Sequence, residues 1–324
     1  MKKRVLSGMR PTGRLHLGHY FGALKNWIEL QNEYECYYMS ADWHALTTDY
    51  ADTSKINENT FEMVADWITA GIDPEKSVIF KQSAVPQHSE LFLILSMLTP
   101  LGWLYRCTTY KEQLTEIKNK DLHNIGFLGY PVLQAADILL YLADIVPVGE
   151  DQLAHLEITR EITRRFNNFY GNVLTEPQAK LTKSARVPGT DARKMSKSYG
   201  NSILLGEDDD GIKKKVQEMY TDPLKIKKDD PGHPEGCVVF AFHKIFNKDF
   251  EKREQECKAG AIGCVACKKQ IMEMLSVFMK PLAQKRAAVV QDRAYLEKVI
   301  KDGTEQAKTA AAATMANVRK ALKF

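Results

Sequence analysis

Short apolar runs alternate with helix-length segments through the first half of this chain. The strand-like runs lie at residues 4–7, 36–41, 78–81 and 145–148, and the helix-like segments lie at 18–32, 57–70, 90–98 and 135–141. This alternation predicts an α/β domain in which helices cover a doubly wound, Rossmann-type parallel sheet. In such sheets ligands bind at the carboxyl ends of the strands, where loops lead into helices.

A loop at residues 180–201, rich in Gly, Pro, Ser and Lys, marks the predicted end of this domain. The segments beyond it favour helix, at residues 209–220, 238–247, 268–290 and 295–322, and the last of these includes an alanine run. We therefore expect a Rossmann-type domain at residues 1–205 and a mostly α-helical domain at residues 206–324.

The formal net charge of +4 is unevenly distributed. Residues 206–324 carry 23 Lys and Arg against 18 Asp and Glu, whereas residues 1–205 carry 22 against 23. This excess suits a polyanionic partner and equally suits a solvated, lysine-rich helical face. No apolar run approaches the ~20 residues that cross a bilayer, and the charged start precedes no apolar signal core. We expect a cytoplasmic protein.

The turn after the first strand combines small residues with two histidines. It runs Gly8-Met-Arg-Pro-Thr-Gly-Arg-Leu-His16-Leu-Gly18-His19. Small residues let the backbone approach a ligand closely, and the start of the following helix favours anionic oxygens. Taken alone, the segment also fits an ordinary strand–turn–helix with incidental histidines.

A second polar segment, Lys194-Met-Ser-Lys197-Ser198, lies in the predicted boundary loop. Two lysines and two hydroxyls within five residues suit a triphosphate, because flexible ammonium groups can follow charge onto a leaving pyrophosphate. A solvated basic loop is the alternative interpretation of this segment alone.

Together the two segments resemble the paired signatures of class I aminoacyl-tRNA synthetases, in the same order and about 175 residues apart. The run Tyr130-Pro-Val-Leu-Gln-Ala-Ala-Asp137 resembles the amino-acid-recognition helix of the tryptophan and tyrosine members of that class. Residues 146–152, Val-Pro-Val-Gly-Glu-Asp-Gln, are similar to the tryptophan branch in particular. The resemblance extends through essentially the whole chain.

This resemblance implies an enzyme that activates L-tryptophan with ATP and Mg²⁺, releases pyrophosphate and transfers the amino acid to tRNA(Trp). It implies that Asp137 accepts the indole N–H and that Tyr130, Gln134, Val146 and Val148 line the pocket. Many members have a methionine at the position of Gln134, so this side chain either binds the substrate ammonium or simply packs.

The same resemblance implies further roles for the two signatures and the turn at residues 149–151. His16, His19, Lys194 and Lys197 would be the catalytic groups. ATP would be bound by Arg10, Pro11, Thr12, Gly18, His19, Gly149, Glu150, Asp151, Val187, Lys194, Met195, Ser196, Lys197 and Ser198. The helical domain would bind the tRNA anticodon, and the protein would be a homodimer with neither a membrane nor DNA as a partner.

Four of the six cysteines lie within 31 residues, at Cys237, Cys257, Cys264 and Cys267. In a reducing compartment such clustering favours a metal over disulfides, and the spacing C-x19-C-x6-C-x2-C can serve either zinc or a 4Fe–4S cluster. Free thiols are the third alternative. A subset of bacterial tryptophan enzymes has a similar pattern that binds an iron–sulfur cluster, which the resemblance therefore implies here.

Three other functions stay open on the sequence. A tyrosine-specific enzyme of the same class shares both signatures. A synthetase-like tRNA-binding protein without activity would not need intact signature lysines and histidines. A nucleotidyltransferase of related fold would leave the basic helical part and the four cysteines unexplained.

Overall fold

The structure, a computed structural model, describes residues 2–107, 110–112, 114, 120–181 and 187–324, and of Asp151 only the backbone. Five strands in these residues pair in parallel in the order β3-β2-β1-β4-β5. They are β1 Arg4–Met9, β2 Glu35–Ser40, β3 Ser77–Lys81, β4 Ile145–Val148 and β5 Gln178–Leu181. The predicted doubly wound parallel sheet is therefore confirmed. The order reverses between β1 and β4, where such sheets bind ligands.

Contacts divide the chain into two units that differ from the division expected at residue 205. The first unit comprises Met1–Gly13, Asn26–Thr182 and Asp292–Phe324, and the second comprises Arg14–Lys25 and Lys183–Gln291. The first signature segment, residues 8–19, is thus divided between the units after Gly13, and the last helix belongs to the same unit as the sheet.

Helices cover the sheet of the first unit. They are Lys25–Leu30, of which only Lys25 is assigned to the second unit, Asp42–Asp49, Ile56–Ala70, Gln87–Leu98, Leu101–Tyr105, Ile125–Leu128, Tyr130–Leu140, Leu153–Tyr170 and Arg293–Leu322. The core contains mainly aliphatic and aromatic side chains from β1, β2, β3, β4 and the helix Tyr130–Leu140. None of the helices in the described residues is both long and apolar enough to cross a membrane.

The helix Arg293–Leu322 packs against β3, the edge strand of the sheet, because its buried face consists of small residues. A Cβ atom built on Gly303 would lie 2.0 Å from the Ile79 carbonyl oxygen, so only glycine permits this approach. Ala307 and Ala311 continue the same buried face. The contact covers a strand edge that would otherwise expose unpaired backbone groups.

The second unit is built from helices around a core of its own. Its helical segments are Leu17–His19, the π-helical turn Tyr20–Leu24, Asp209–Glu218, Val238–Phe246, Phe250–Lys258 and Cys264–Gln291. The core joins apolar residues of these helices to Leu17, Val187, Met195 and Ile203. Leu17 of the histidine signature and Met195 of the lysine signature therefore belong to one apolar cluster.

Candidate active site

The His16-Leu-Gly-His19 part of the first signature and the segment Lys194–Ser198 lie side by side in the second unit, although about 175 residues separate them in sequence. Leu17 N–H donates to the Ile203 carbonyl at 3.0 Å, and the Lys197 ammonium donates to the Arg14 carbonyl at 2.8 Å. Leu17 and Met195 are both buried in the same core. The backbone of each signature is thus fixed by the other, and their polar side chains stand together.

The two signature histidines stack on each other at a ring-centroid distance of 3.8 Å. The backbone N–H of His16 donates to the ring Nδ1 of His19 at 3.2 Å, so the neutral His19 ring carries its proton on Nε2. Burial, reinforced by Lys197, lowers the pKa of His16 to about 4. Burial, then His16 and the signature lysines, lowers the pKa of His19 to about 3. Both rings are therefore neutral donors at neutral pH.

Gly18 makes this arrangement possible. A Cβ atom at this position would lie 2.9 Å from both Cε1 and Nδ1 of His16, and 3.7 Å from the Met195 Cβ. A side chain would displace the His16 ring and press on the second signature. The His-Leu-Gly-His turn thus needs glycine for space.

The lysine signature is organised by Asn201, a residue that sequence analysis did not identify. The Asn201 side chain accepts from Ser196 N–H at 2.8 Å and donates to the Lys194 carbonyl at 3.1 Å. The Ser196 and Ser198 hydroxyls lie 2.8 Å apart. Lys194 and Ser198 are exposed, whereas Met195 is buried. The loop therefore has a fixed backbone, with Lys194 exposed and Lys197 half-buried at the Arg14 carbonyl.

Asp137 lies in the first unit on the helix Tyr130–Leu140 and is only 1% exposed. His44 donates to Oδ2 at 2.8 Å, while Gln82 and His88 donate to Oδ1 at 2.8 and 2.7 Å. Burial alone would raise the pKa of this carboxyl, but hydrogen bonds from His44 and His88 outweigh it and hold the pKa below its usual value. Asp137 is thus a buried, ionised acceptor.

His44, Gln82 and His88 were not among the site residues predicted from the sequence. The signal was available, because His44 follows β2 closely and Gln82 is the first residue after β3. Carboxyl ends of parallel strands share one edge, where polar side chains are functional candidates. His88, one turn farther along, carries no such signal.

Tyr130, another of the predicted pocket residues, takes part in a second buried chain of hydrogen bonds. The Tyr130 hydroxyl lies 2.7 Å from His155 Nε2, and His155 Nδ1 lies 3.0 Å from Gln152 Oε1. Because the amide oxygen only accepts, His155 donates from Nδ1 and accepts from Tyr130. Val146 and Val148 are buried on β4 in the same core as Tyr130, and Gln134 is half-buried.

The remaining predicted ATP residues lie after β1 and β4, the strands where the sheet order reverses. Arg10 is tied to the helix Asp42–Asp49 by hydrogen bonds to Thr48 and the Ala45 carbonyl. Burial lowers the pKa of Arg10, and the charge of Asp49 opposes that shift. Of the others, Pro11 is buried and Thr12 and Glu150 are exposed, while Gly149 precedes the short turn Glu150–Gln152. The Asp151 side chain lies outside the described residues.

The four clustered cysteines line one pocket in the second unit, together with Lys225, Arg253 and Asp222. Cys267 Sγ lies 3.2 Å from His243 Nε2. Burial raises the pKa of the Cys237 and Cys257 thiols, and raises that of Cys267 to about 12. Nowhere in the described residues is a group of three or more His, Cys, Asp or Glu arranged to hold a metal ion.

Comparison with known proteins gives a consistent result over the full length. A family model described as "tRNA synthetases class I (W and Y)" matches residues 1–280. The tryptophan–tRNA ligase of Thermotoga maritima is 49% identical over 323 residues, which cover 98% of each chain. That of Aquifex aeolicus is 42% identical over 391 aligned residues, covering 98% of this chain and 99% of the relative.

A solved structure agrees with these relatives. The crystal structure of tryptophanyl-tRNA synthetase from Campylobacter jejuni, complexed with ADP and tryptophan, matches with a TM-score of 0.88. The identity is 34%, and the match covers 99% of this chain and 100% of the other.

The lowered pKa values of His16 and His19 predict a loss of stability in acid. Both histidines bind protons more weakly when folded, so their contribution is complete above about pH 6.5 and falls as the pH decreases toward 4. Each histidine lowers the free energy of unfolding by at most about 1.4 kcal/mol for every pH unit of this decrease. We expect His16→Asn combined with His19→Asn to lose less stability between pH 7.5 and 5 than the unsubstituted protein, measured by urea unfolding without ATP.

The matched control is His123→Asn, because His123 is exposed. This variant should lose as much stability between the two pH values as the unsubstituted protein. If the double variant also loses that much, the two signature histidines are not held neutral by burial.

Proposed function

This chain belongs to the class I tRNA synthetases of the tryptophan and tyrosine family, and we infer that it is a tryptophan–tRNA ligase. The observation that carries this conclusion is the 49% identity to the Thermotoga maritima tryptophan–tRNA ligase over 98% of both chains. The Aquifex aeolicus relative has the same activity in its name. The enzyme activates tryptophan with ATP and transfers it to tRNA(Trp).

We propose that Asp137 reads the one polar group of the indole ring. An indole has a single donor, its N–H, and no acceptor. A buried carboxylate is a strong acceptor for it, and a substrate without a donor leaves the carboxylate unmatched at considerable cost. Tyr130, Val146 and Val148 form walls of the pocket, and Gln134, which is half-buried, faces substrate or packs beside it.

ATP with Mg²⁺ is the proposed co-substrate, and the ADP bound in the Campylobacter jejuni relative supports it. Residues of both signatures would bind the nucleotide, namely Gly18, His19, Val187, Lys194, Met195, Ser196, Lys197 and Ser198. The residues after β1 and β4 would also contribute, namely Arg10, Pro11, Thr12, Gly149, Glu150 and Asp151. The short turn at Gly149 would admit the ribose.

The reaction needs no protein nucleophile. The tryptophan carboxylate attacks the α-phosphorus, and pyrophosphate leaves with the electrons of the broken P–O bond. The terminal ribose hydroxyl of tRNA then attacks the carbonyl of the adenylate, and AMP leaves. Catalysis consists of positioning and charge stabilisation. His16 and His19 would donate hydrogen bonds as neutral rings, while Lys194 and Lys197 would follow the charge onto pyrophosphate.

We propose that the helices of the second unit between residues 209 and 291 bind the tRNA anticodon. The lysines of this region suit a polyanion. A cytoplasmic homodimer is also proposed. Exposed apolar side chains on the first unit support a subunit interface, because monomers seldom leave such surface uncovered. They include Leu93, Met97, Leu101 and Tyr105.

We propose that the four clustered cysteines bind a 4Fe–4S cluster. The donor set fits in chemical kind, because thiolates are the usual ligands of iron–sulfur clusters and all four cysteines line one pocket. Lys225 and Arg253 on the pocket wall would offset the negative charge of the bound thiolates. When bound, the cluster would join three segments of the second unit and stabilise them.

Amino-acid-dependent exchange of pyrophosphate into ATP tests the function directly. We expect exchange with tryptophan and little with tyrosine, because the full-length relatives are tryptophan–tRNA ligases. Similar exchange efficiency with both amino acids would contradict the tryptophan assignment. No exchange with any amino acid would instead favour a synthetase-like binding protein.

Iron analysis tests the cluster. Protein purified without oxygen should be brown and contain about four iron atoms per chain. Cys264→Ser combined with Cys267→Ser should lose the iron and weaken tRNA charging, and should leave tryptophan-dependent exchange largely intact. Cys36→Ser is the matched control, because Cys36 is buried on β2 in the first unit and should not affect iron content. Colourless protein with one zinc ion would contradict the proposal.

A further inference from the structure

Behind Asp137 lies a buried chain of hydrogen bonds that the reaction steps above do not use. His88 Nδ1 lies 2.7 Å from Asp137 Oδ1, and His88 Nε2 lies 2.8 Å from the Tyr141 hydroxyl. His88, Asp137 and Tyr141 are all almost completely inaccessible to solvent. Asp137 is thus held from behind by a histidine that is itself held by a tyrosine.

The donors and acceptors of this chain can be assigned. A carboxylate only accepts, so His88 donates from Nδ1 and its Nε2 accepts from the Tyr141 hydroxyl. Gln82 Oε1 accepts a hydrogen bond from the backbone N–H of Trp43 at 3.1 Å, and this bond turns the Gln82 amide nitrogen toward Asp137. The Asp137 carboxylate therefore fixes the tautomer of neutral His88, the Tyr141 hydroxyl holds the His88 ring from its other side, and the Trp43 backbone fixes the orientation of Gln82.

The two oxygens of Asp137 are used unequally. Oδ1 accepts from both Gln82 and His88, whereas in the described part of the chain Oδ2 accepts only from His44. A carboxylate oxygen readily accepts two hydrogen bonds. Oδ2 is therefore the oxygen with capacity for one more donor, and the bonds to Oδ1 prevent the carboxylate from rotating.

We propose that His88, fixed by Tyr141, is a positioning residue that sets the selectivity for indole. It holds the Asp137 carboxylate so that Oδ2 faces the substrate N–H. The inference rests on the proposed function, in which Asp137 accepts from the indole. His88 touches neither tryptophan nor ATP in this account, so its effect is confined to substrates whose recognition depends on Asp137.

Loss of His88 would also change the protonation of Asp137. The titratable groups that face Asp137 are His44 from the helix Asp42–Asp49, His88 from the helix Gln87–Leu98 and Tyr141, with Tyr37 of β2 stacked on Tyr141 at 4.8 Å. Without the His88 donor, burial would raise the pKa of Asp137. A protonated Asp137 would present a donor as well as an acceptor, and the indole site would lose its match.

The test compares two substrates in the unsubstituted enzyme and in two variants, His88→Leu and His88→Asn. Tryptophan and 3-(benzothiophen-3-yl)alanine have nearly the same shape, but sulfur replaces the N–H in the second. kcat/KM is measured for each by pyrophosphate exchange. We expect His88→Leu to lower the tryptophan value by about tenfold or more and the analogue value by less than about threefold. His88→Asn, whose amide can replace the Nδ1 donor, should stay within about threefold of the unsubstituted enzyme for both.

The dependence of the tryptophan kcat/KM on pH distinguishes a positioning role of His88 from a merely structural one. Activity that depends on ionised Asp137 falls as the pH decreases through its pKa. In His88→Leu the acid limb of the tryptophan kcat/KM profile should therefore shift to higher pH, while the His88→Asn profile should stay in place. If His88→Leu does not fold, Tyr141→Phe provides the same test with a smaller expected change.

Two outcomes separate the inference from the function on which it rests. If Asp137→Ala lowers the values of both substrates equally, Asp137 is not the indole acceptor and the proposed function of that residue fails. If Asp137→Ala lowers tryptophan selectively but His88→Leu affects both substrates equally, the pocket assignment stands and the role of His88 is overturned. An unmoved acid limb in His88→Leu would also overturn it.

Discussion

A carboxylate removed from water must be matched by donors that are fixed as firmly as the carboxylate itself, and Asp137 imposes that requirement on the first unit. Its donors come from the helix Asp42–Asp49, from the residue that follows β3 and from the helix Gln87–Leu98. Each must lie within about 3 Å of a side chain on the helix Tyr130–Leu140. The carboxyl edge of the sheet is therefore arranged around one ionised group, and the proposed selectivity for indole depends on the bonds that hold that group in place.

In the second unit, two neutral histidines lie beside the lysines of the other signature. Phosphate binding needs donors and positive charge close together, and adjacent cations repel one another. Here burial, with the nearby signature lysines, keeps His16 and His19 neutral, so the two histidines add no positive charge beside the lysines. The shared core around Leu17 and Met195 holds both signatures in register, and Gly18 leaves room for the stacked rings. Packing thus determines which groups are charged.

Local patterns in the sequence predicted the parts of the fold that are locally determined. Alternating apolar runs predicted four of the strands, and β5 was missed because Gln178-Ala-Lys-Leu has no apolar run and lies at the sheet edge. The last helix was predicted as a helix, but its place beside β3 depends on the contact of Gly303 with Ile79, which no local pattern shows. Motif resemblance led to Asp137 and both signatures. His88 lies 49 residues from Asp137 in sequence, and the bonds of Asn201 depend on how the loop folds back on itself, so only the structure brings these two partners into view.

The central claim is that a buried, ionised Asp137 accepts a hydrogen bond from the indole of bound tryptophan. The most direct measurement is the NMR spectrum of tryptophan labelled with ¹⁵N at the indole nitrogen, recorded free and in complex with the enzyme. A hydrogen bond to a carboxylate should move the indole proton strongly downfield on binding and slow its exchange with water. The shift should disappear in the complex with Asp137→Ala at saturating tryptophan. An indole proton that stays at its free position in the unsubstituted enzyme would contradict the claim.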